Sequence, residues 1–325
     1  MFEAKYYTKL TDSKVQCRLC PHFCVIAPDD FGKCHSRQNI DGTLYATNYG
    51  KTISLNLDPM EKKPLYHFFP GSQILSLGAN SCNFSCKFCQ NYTSSQQRID
   101  TYNITPQEII TLCHSHKTNF LAFTYTEPFT WFEFILTIAP VLKENGIKIV
   151  MVTNGYINPA PLQELLPYID AMNIDLKSMD EKFYHHICGG SLQPVLETIR
   201  LSAKAGCHLE ITNLLITGEN DSVENITRLI DFMVSVDPEI PLHFSRYFPT
   251  FEMTNSPTPQ PTLEMAKRLA SEKLSYVFLG NVVTDYNTYC PRCKSLLIER
   301  NYKLKIHLID GHCPSCGKKI YGEFA

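Results

Sequence analysis

The sequence lacks long apolar runs, a strong net charge and a secretion signal. Its apolar runs are far too short to span a bilayer, and residues 1–6 lack the basic-then-apolar pattern of a signal peptide. The 30 Lys and Arg nearly balance the 32 Asp and Glu, so the formal net charge is −2. This balance provides neither a basic surface for nucleic acid nor an acidic disordered tail. We therefore expect a protein that binds neither membranes nor nucleic acid.

Cysteine, in contrast, is abundant, with 14 residues in a chain of 325. Without a secretion signal, so many thiols indicate metal or cluster binding in a reducing cytoplasm, not a disulfide framework. The length suits a barrel of about 200–250 residues with additional segments. A 44% hydrophobic composition is sufficient for a large core.

Three cysteines, Cys82, Cys86 and Cys89, have a C-x3-C-x2-C spacing directly after the apolar run 73–78. A [4Fe–4S] cluster normally takes four Cys ligands, so three local thiolates would leave one iron open. The alternative is a zinc knuckle. Zinc sites, however, mostly consist of two C-x2-C pairs or Cys/His pairs, and this motif has no fourth ligand.

A second cysteine group lies near the N-terminus, within eighteen residues. Its members are Cys17, Cys20, Cys24 and Cys34. Four thiols at this spacing can close a tetrahedral zinc site or hold a second iron–sulfur cluster. The sequence leaves both possibilities open.

The third group consists of two C-x2-C pairs separated by nineteen residues, the spacing of a zinc ribbon. Its members are Cys290, Cys293, Cys313 and Cys316. A rubredoxin-like iron site is the alternative, because the ligands alone do not select the metal.

Residues 73–285 alternate β-rich runs with amphipathic helical stretches, which predicts β/α units around a parallel sheet. The predicted strands are 73–78, 119–125, 147–153, 170–176, 208–216, 241–247 and 276–280. Thr105-Pro106-Gln107-Glu108 has the pattern of a helix capping box. We expect three domains: an N-terminal Cys-rich extension and connector (1–72), the β/α core (73–285) and a zinc-ribbon-like module (286–325). The connector contains a dense acid, base and aromatic stretch at 58–68, for which a role at the barrel mouth is the functional interpretation.

The carboxyl ends of the predicted strands carry polar residues where parallel β/α barrels place reactive groups. Glu127 ends the second strand, and Thr153 and Asn154 end the third. Asp175 and Lys177 share one face of the fourth strand by the period of two. They are candidates for catalysis and cofactor binding, with a structural salt bridge as the alternative.

The later strands contribute further candidates. Glu210 and Thr212 share a face of the fifth strand and are predicted to bind cofactor, as is Arg246 on the sixth. His243 and the loop cysteine Cys188 are predicted catalytic groups. A core histidine and an inert thiol are the respective alternatives.

These motifs resemble the radical S-adenosylmethionine (SAM) superfamily over almost the whole chain. The resemblance implies a partial (β/α)6 TIM-like barrel and a [4Fe–4S] cluster on Cys82, Cys86 and Cys89 whose open iron binds SAM. Reductive cleavage of SAM then yields a 5′-deoxyadenosyl radical. Glu127 would hold the methionyl amino group of SAM. Relatives often carry an acid where this chain has Val152.

The Tyr-Thr-Glu-Pro and Asp-Leu-Lys strings are similar to those of glycyl-radical-enzyme activases. The strings Cys-Arg-Leu-Cys-Pro-His-Phe-Cys and Glu-Lys-Lys-Pro-Leu-Tyr-His resemble the AmmeMemoRadiSam-system radical SAM enzymes. That resemblance implies association with Memo-like and AMMECR-like proteins, and the chemistry implies a flavodoxin- or ferredoxin-type electron donor. We expect hydrogen abstraction from a substrate that the sequence does not identify. The alternatives are glycyl-radical-enzyme activation and a non-catalytic, metal-stabilised interaction protein.

Overall fold

The computed structural model describes residues 1–301 and 303–324. Its main element is an eight-stranded sheet whose strands neighbour one another in chain order. The strands are β1 Ser54–Pro59, β2 Gln73–Gly78, β3 Phe120–Phe123, β4 Lys148–Thr153, β5 Ala171–Asp175, β6 His208–Leu215, β7 Leu242–Arg246 and β8 Val277–Gly280. The seven strands β2–β8 are parallel, and β1 is antiparallel to β2. The sequence predicted each parallel strand to within two residues.

Six helices of seven residues or more follow successive strands. They are α1 Pro106–Ser115, α2 Phe132–Glu144, α3 Pro159–Leu165, α4 Gln193–Lys204, α5 Val223–Val236 and α6 Gln260–Ser271. The predicted capping box of α1 is confirmed, because the Glu108 amide donates to Thr105 Oγ1 at 3.3 Å and the Thr105 amide donates to Glu108 Oε2 at 2.8 Å. The Ser222 hydroxyl caps α5 in the same way by accepting from the Asn225 amide. Both caps satisfy amides that a helix start leaves without partners.

The sheet is open along its edges in the described part of the chain, where β1 pairs with β2 alone and β8 with β7 alone. It contains seven parallel strands, one more than the six units of the expected partial barrel. The fold is therefore an α/β fold with a largely parallel sheet. Its curvature into a partial barrel remains a prediction.

Both faces of the parallel strands are buried, which explains why their sequences are nearly continuous apolar runs. Alternate residues point to opposite faces, and one face carries the small side chains Ala122, Val150 and Ala171. Met60, Leu65 and Phe68, from the connector just before β2, pack against these small residues. The connector therefore fills the space below the carboxyl ends of the strands.

The remaining elements are short. Strands Phe2–Glu3, Arg37–Ile40 and Thr43–Ala46 form one small sheet, and Tyr7–Lys9, Val15–Cys17 and Val25–Ile26 form another. Lys51–Thr52 pairs with Tyr102–Asn103, and the C-terminal sheet contains Thr288–Tyr289, Leu296–Arg300 and Leu304–Ile306. Short helical turns occur at Met60–Lys62, Tyr92–Gln96, Pro128–Trp131, Leu166–Tyr168, Glu181–Phe183 and Tyr184–Cys188. In the described residues, no helix combines the length and the apolar character needed to cross a membrane.

Candidate active site

The loop that follows β2 carries the three-cysteine motif. Its backbone is anchored to the π-helical turn Tyr184–Cys188, because the Ser85 amide donates to the Cys188 carbonyl at 2.9 Å and the Lys87 amide donates to the Ile187 carbonyl at 3.0 Å. The side chains of Cys82, Cys86 and Cys89 all line one cavity of about 420 Å³. This cavity lies at the carboxyl ends of the parallel strands, where the fold class places reactive groups.

Glu127 lies in the wall of the cavity, four residues beyond the end of β3, and is only 1% exposed. Its carboxylate accepts three hydrogen bonds: from the Phe129 amide at 2.9 Å, the Thr153 hydroxyl at 2.7 Å and the Asn154 amide at 2.8 Å. Burial raises the pKa of the carboxyl to about 7, although the three hydrogen bonds oppose this shift. The result is a fixed carboxyl group able to receive a cationic ligand.

Thr153 and Asn154 connect Glu127 to the cysteine loop. The Asn154 amide group donates to Asn83 Oδ1 at 2.8 Å, and its nitrogen lies 3.8 Å from Cys82 Sγ. The following residue, Gly155, has a φ of +71°, and a Cβ there would come within 3.0 Å of a methyl group of Ile174. Glycine is therefore required for the turn that holds Asn154 beside Cys82.

Asp175 and Lys177 form an ion pair in the cavity wall, with 2.8 Å between Nζ and Oδ2. Burial alone would lower the pKa of the Lys177 ammonium, but Asp175 and the nearby Cys86 and Cys188 thiols raise it well above its usual range. The ammonium also lies 5.6 Å from the centre of the Phe88 ring. A permanent cation therefore lies beside the thiol of Cys86.

Thr212 also lines the cavity, and its hydroxyl donates to Asn173 Oδ1 at 2.9 Å. Leu214, on the same face of β6, supplies an apolar part of the wall. The predicted group of Glu127, Thr153, Asn154, Asp175, Lys177 and Thr212 is thus brought together around the three cysteines.

The structure places Glu210 and His243 below the cavity, not in its wall. Glu210 is fully buried and accepts from His243 Nε2 at 2.6 Å, from His208 Nε2 at 3.2 Å and from the His67 amide at 2.6 Å. Burial alone would raise the pKa of Glu210, but the hydrogen bonds from His208 and His243 lower it far below its usual range. Glu210 precedes Thr212 by one strand period on the same face, so it lies about 6.6 Å deeper along β6.

Arg246 and Cys188 also lie outside the described cavity lining. The Arg246 side chain donates from Nε to the Thr258 carbonyl at 2.9 Å and stacks near Phe248. Cys188 is fully buried behind Cys86, and a hydrogen bond from Cys188 lowers the pKa of the Cys86 thiol. Cys188 thus contacts the thiol of Cys86 but does not line the cavity.

Sequence reasoning did not include several residues of the cavity wall among its sites, notably Lys62, Lys63, Tyr125, Ser245 and Asn281. Lys63 is 2% exposed and pairs with Asp58 at 2.6 Å, and the Tyr125 hydroxyl donates to the same Asp58 oxygen at 2.7 Å. The charged stretch at 58–68 was the sequence feature that pointed to Lys62 and Lys63. The first part of this stretch reaches the cavity, whereas Tyr66 and His67 lie below the cavity, next to His243 and Glu210.

The other two cysteine groups differ in geometry. At the C-terminus, Cys290 and Cys316 are 3.6 Å apart, as are Cys293 and Cys313, and all four sulfurs lie within 4.8 Å of one another. The four N-terminal cysteines line a separate small pocket together with Arg37 and Phe129. Cys113 and Cys207, outside the three groups, are buried.

Comparisons with known proteins agree with this geometry. The model of the Radical SAM superfamily matches residues 77–230. The chain is 45% identical to the uncharacterized protein MJ0808 of Methanocaldococcus jannaschii, over 98% of this chain and 99% of that protein. It is 28% identical to the 4-hydroxyphenylacetate decarboxylase activating enzyme of Clostridium scatologenes, over 46% of this chain and 50% of that enzyme.

Among solved structures, a radical SAM methyltransferase from Sphaerobacter thermophilus has a similar fold, with a TM-score of 0.53 and 16% identity over 69% of this chain and 71% of that one. At this identity the likeness concerns the fold alone. The family model and the sequence relatives identify the chain as an enzyme of the radical SAM superfamily, related to the activating enzymes of glycyl-radical enzymes.

Proposed function

We propose that this protein binds a [4Fe–4S] cluster through Cys82, Cys86 and Cys89 and uses it to cleave SAM reductively, so that hydrogen is abstracted from a substrate. The observation that carries this proposal is the shared cavity, in which three thiols of one loop face Glu127 and the Asp175–Lys177 pair. When bound, the cluster and SAM supply the electron and the 5′-deoxyadenosyl radical. The protein contributes binding, orientation and electrostatics.

The spacing of the three thiols supports a cluster over a single metal ion. Among the described residues, Cys82, Cys86 and Cys89 do not belong to any group of ligand atoms within 4.8 Å of one another. A single zinc ion with bonds of about 2.3 Å would need sulfurs about 3.8 Å apart. In a cubane, each thiolate binds a different iron, which requires wider spacing.

The cavity wall offers distinct partners for the parts of SAM. The buried Glu127 carboxyl suits the methionyl ammonium, because its own hydrogen bonds hold it in place. Lys177 suits a carboxylate, and Thr212 and Leu214 provide a hydroxyl and an apolar surface for the nucleoside. Glu210, His243 and Arg246 do not line the cavity, and we assign them no contact with cofactor.

We further propose three domains at 1–72, 73–285 and 286–325, with zinc in the last. The C-terminal sulfurs at 3.6 Å support a single tetrahedral ion, since bonds of about 2.3 Å give sulfur edges of about 3.8 Å. The ribbon spacing of the two C-x2-C pairs is the reason that we propose zinc for this ion. The first cysteine group holds either zinc or a second iron–sulfur cluster. All 14 cysteines are free thiols, which supports a reducing, cytoplasmic setting.

The experiment that tests the central proposal is anaerobic reconstitution followed by a SAM-cleavage assay. We expect wild type to hold a reducible cluster and to form 5′-deoxyadenosine, and the combined variant Cys82→Ala/Cys86→Ala/Cys89→Ala to form none. Cys113→Ala is the matched control, because it removes a buried thiol outside the three groups. Wild-type protein that folds, binds iron and still leaves SAM intact under strong reduction would contradict the proposal.

For the substrate and partners, we propose an AmmeMemoRadiSam-type system with Memo-like and AMMECR-like proteins and a flavodoxin- or ferredoxin-type electron donor. The strings at residues 17–24 and 61–67 support this assignment. Co-purification of the tagged protein with each candidate partner tests it. Recovery of neither partner, under conditions in which the cluster is intact, would count against the system.

Activation of a glycyl-radical enzyme is the second candidate, favoured by the 28% identity to an activating enzyme. It predicts a stable organic radical, detectable by electron paramagnetic resonance, on a glycyl-radical partner mixed with the reduced protein and SAM. Formation of 5′-deoxyadenosine without such a radical would leave the first candidate in place.

A further inference from the structure

The N-terminal cysteine pocket is a second site for a metal group. Cys17 ends the strand Val15–Cys17, and its amide donates to the Cys24 carbonyl at 2.9 Å, which closes the loop that contains Cys20. Cys34 reaches the same pocket from a turn that follows Gly32. The backbone therefore brings four thiols from two turns around one closed space.

Sulfur spacing distinguishes this pocket from the C-terminal ribbon. In the part of the chain that the structure describes, only the ribbon brings three or more ligand atoms within 4.8 Å of one another. No three sulfurs of the N-terminal group are that close, so they do not match a single zinc ion, whose sulfur edges are about 3.8 Å. They share this wider spacing with Cys82, Cys86 and Cys89.

Arg37 provides an independent observation. It lines the pocket, is 1% exposed, and leaves its Nε–H without a hydrogen-bond partner among the described atoms. Its other nitrogens are held by Glu133 Oε2 at 2.5 Å and by the Thr130 carbonyl at 3.4 Å. A buried donor without a partner is costly, and an anionic thiolate-bound metal group in the pocket would supply the missing acceptor.

We propose that Cys17, Cys20, Cys24 and Cys34 bind a second [4Fe–4S] cluster. With four thiolates, each iron has a protein ligand and none is open to SAM. The second cluster would therefore not bind SAM, unlike the cluster proposed at Cys82, Cys86 and Cys89. The two sites meet in the chain at Cys82 and Asn83. Asn83 faces the N-terminal pocket and follows Cys82 in the chain, and its carbonyl lies 2.6 Å from His22 Nε2.

The inference rests on the proposed function only in assuming that the chain acquires iron–sulfur clusters. The test is to count iron, acid-labile sulfide and zinc in anaerobically reconstituted full-length protein. We expect about eight irons and eight sulfides in wild type, and about four of each both in Cys82→Ala/Cys86→Ala/Cys89→Ala and in Cys17→Ala/Cys20→Ala/Cys24→Ala/Cys34→Ala. Replacement of the four ribbon cysteines is the control and should remove zinc only.

The most informative sample is the variant that lacks Cys82, Cys86 and Cys89, because its N-terminal pocket keeps all four cysteines. It remains informative even if the variant that lacks those four cysteines folds poorly. About four irons with a reducible cluster spectrum in that variant support the proposal. If this variant contains zinc but no iron, the proposed second cluster is wrong. The proposed function would still stand if wild type cleaves SAM. Iron in that variant, combined with a wild type that does not cleave SAM, would instead overturn only the proposed function.

Discussion

Two layers of the same strands carry polar residues that look alike in the sequence but differ in their surroundings. The upper layer (Asp175, Thr212, Leu214 and Ser245) lines the cavity, whereas the lower layer (Asn173, His208, Glu210 and His243) precedes it along β5, β6 and β7 and does not line the cavity. The Asp175 side chain keeps 36% of its surface exposed, and the Glu210 side chain keeps none. The upper layer is open to a ligand and the lower layer is closed.

The completeness of the hydrogen bonding explains the difference. The Glu210 carboxylate receives three donors from within the protein, and His67, which supplies one of them, is bonded in turn to the Tyr321 carbonyl at 2.7 Å. The connector and the C-terminal module thus cover this layer. A buried polar group that is fully bonded and separated from the cavity stabilises one arrangement of the core. A group that lines the cavity, as Asp175 and Glu127 do, can also contact a ligand.

Replacement of Glu210 should have the largest effect on stability. Glu210→Ala leaves buried imidazoles without their acceptor, and removing one partner of a buried charged pair costs about 3–5 kcal/mol. Asp175→Ala is the matched change in the upper layer, where partial exposure limits the loss to about 0–1 kcal/mol. Anaerobic thermal unfolding followed by circular dichroism measures both. An unchanged midpoint for Glu210→Ala, together with lost SAM binding, would show that the layers are wrongly assigned.

Glu127 should show the opposite behaviour. Glu127→Gln removes the charge proposed to hold the SAM ammonium, and a hydrogen bond to a charged group contributes about 1.5–3 kcal/mol, or roughly 10- to 150-fold in affinity. Calorimetric titration of SAM into the reconstituted variant measures the change. Glu144→Gln, an exposed carboxylate on α2, is the control. Equal affinity in Glu127→Gln and wild type would exclude Glu127 from SAM binding.

The lower layer should also make stability depend on pH. Burial lowers the pKa of His67 to about 3, from an ordinary value near 6.5. Between those values the unfolded chain binds a proton that the folded chain does not, so stability is lost as pH falls through this window. His67→Gln should remove a slope of about 1.4 kcal/mol per pH unit, measured by urea unfolding between pH 5 and 6. Parallel pH profiles for variant and wild type would contradict this assignment.

Sequence reasoning predicted the strands because burial on both faces gives long apolar runs between helix caps, and both properties are local. It also predicted which residues follow strand ends, and three of these candidates, Glu127, Asn154 and Lys177, line the cavity. The distance of each side chain from the cavity was not predictable. The alternation of residues along a strand shows which face a side chain is on, but not how far it lies from the cavity. Glu210 and His243 were therefore grouped with Thr212, although partners distant in the chain, His67 and Tyr321, enclose them.

The same limit applies to the cavity rim and to Arg37. Lys63 lies 4.7 Å from the centre of the Tyr125 ring because the connector packs against β3, far along the chain. Arg37 reaches Glu133, 96 residues later, and no local pattern marks that pair. Long-range packing decides which charges meet, and single-sequence patterns do not contain that information.

Removal of a helix cap outside both layers should show the smallest loss of stability. It therefore serves as a reference for the other variants. Thr105→Ala removes the hydroxyl that caps α1 at the Glu108 amide, and loss of such a cap costs about 1 kcal/mol. Gln107→Ala, exposed one position beyond the Pro106 that starts the helix, is the control and should be neutral. Thermal unfolding measures the loss, and SAM affinity should stay at the wild-type value in both. If Thr105→Ala weakened SAM binding as much as Glu127→Gln, loss of affinity would report general destabilisation. The assignment of Glu127 to SAM binding would then lose its support.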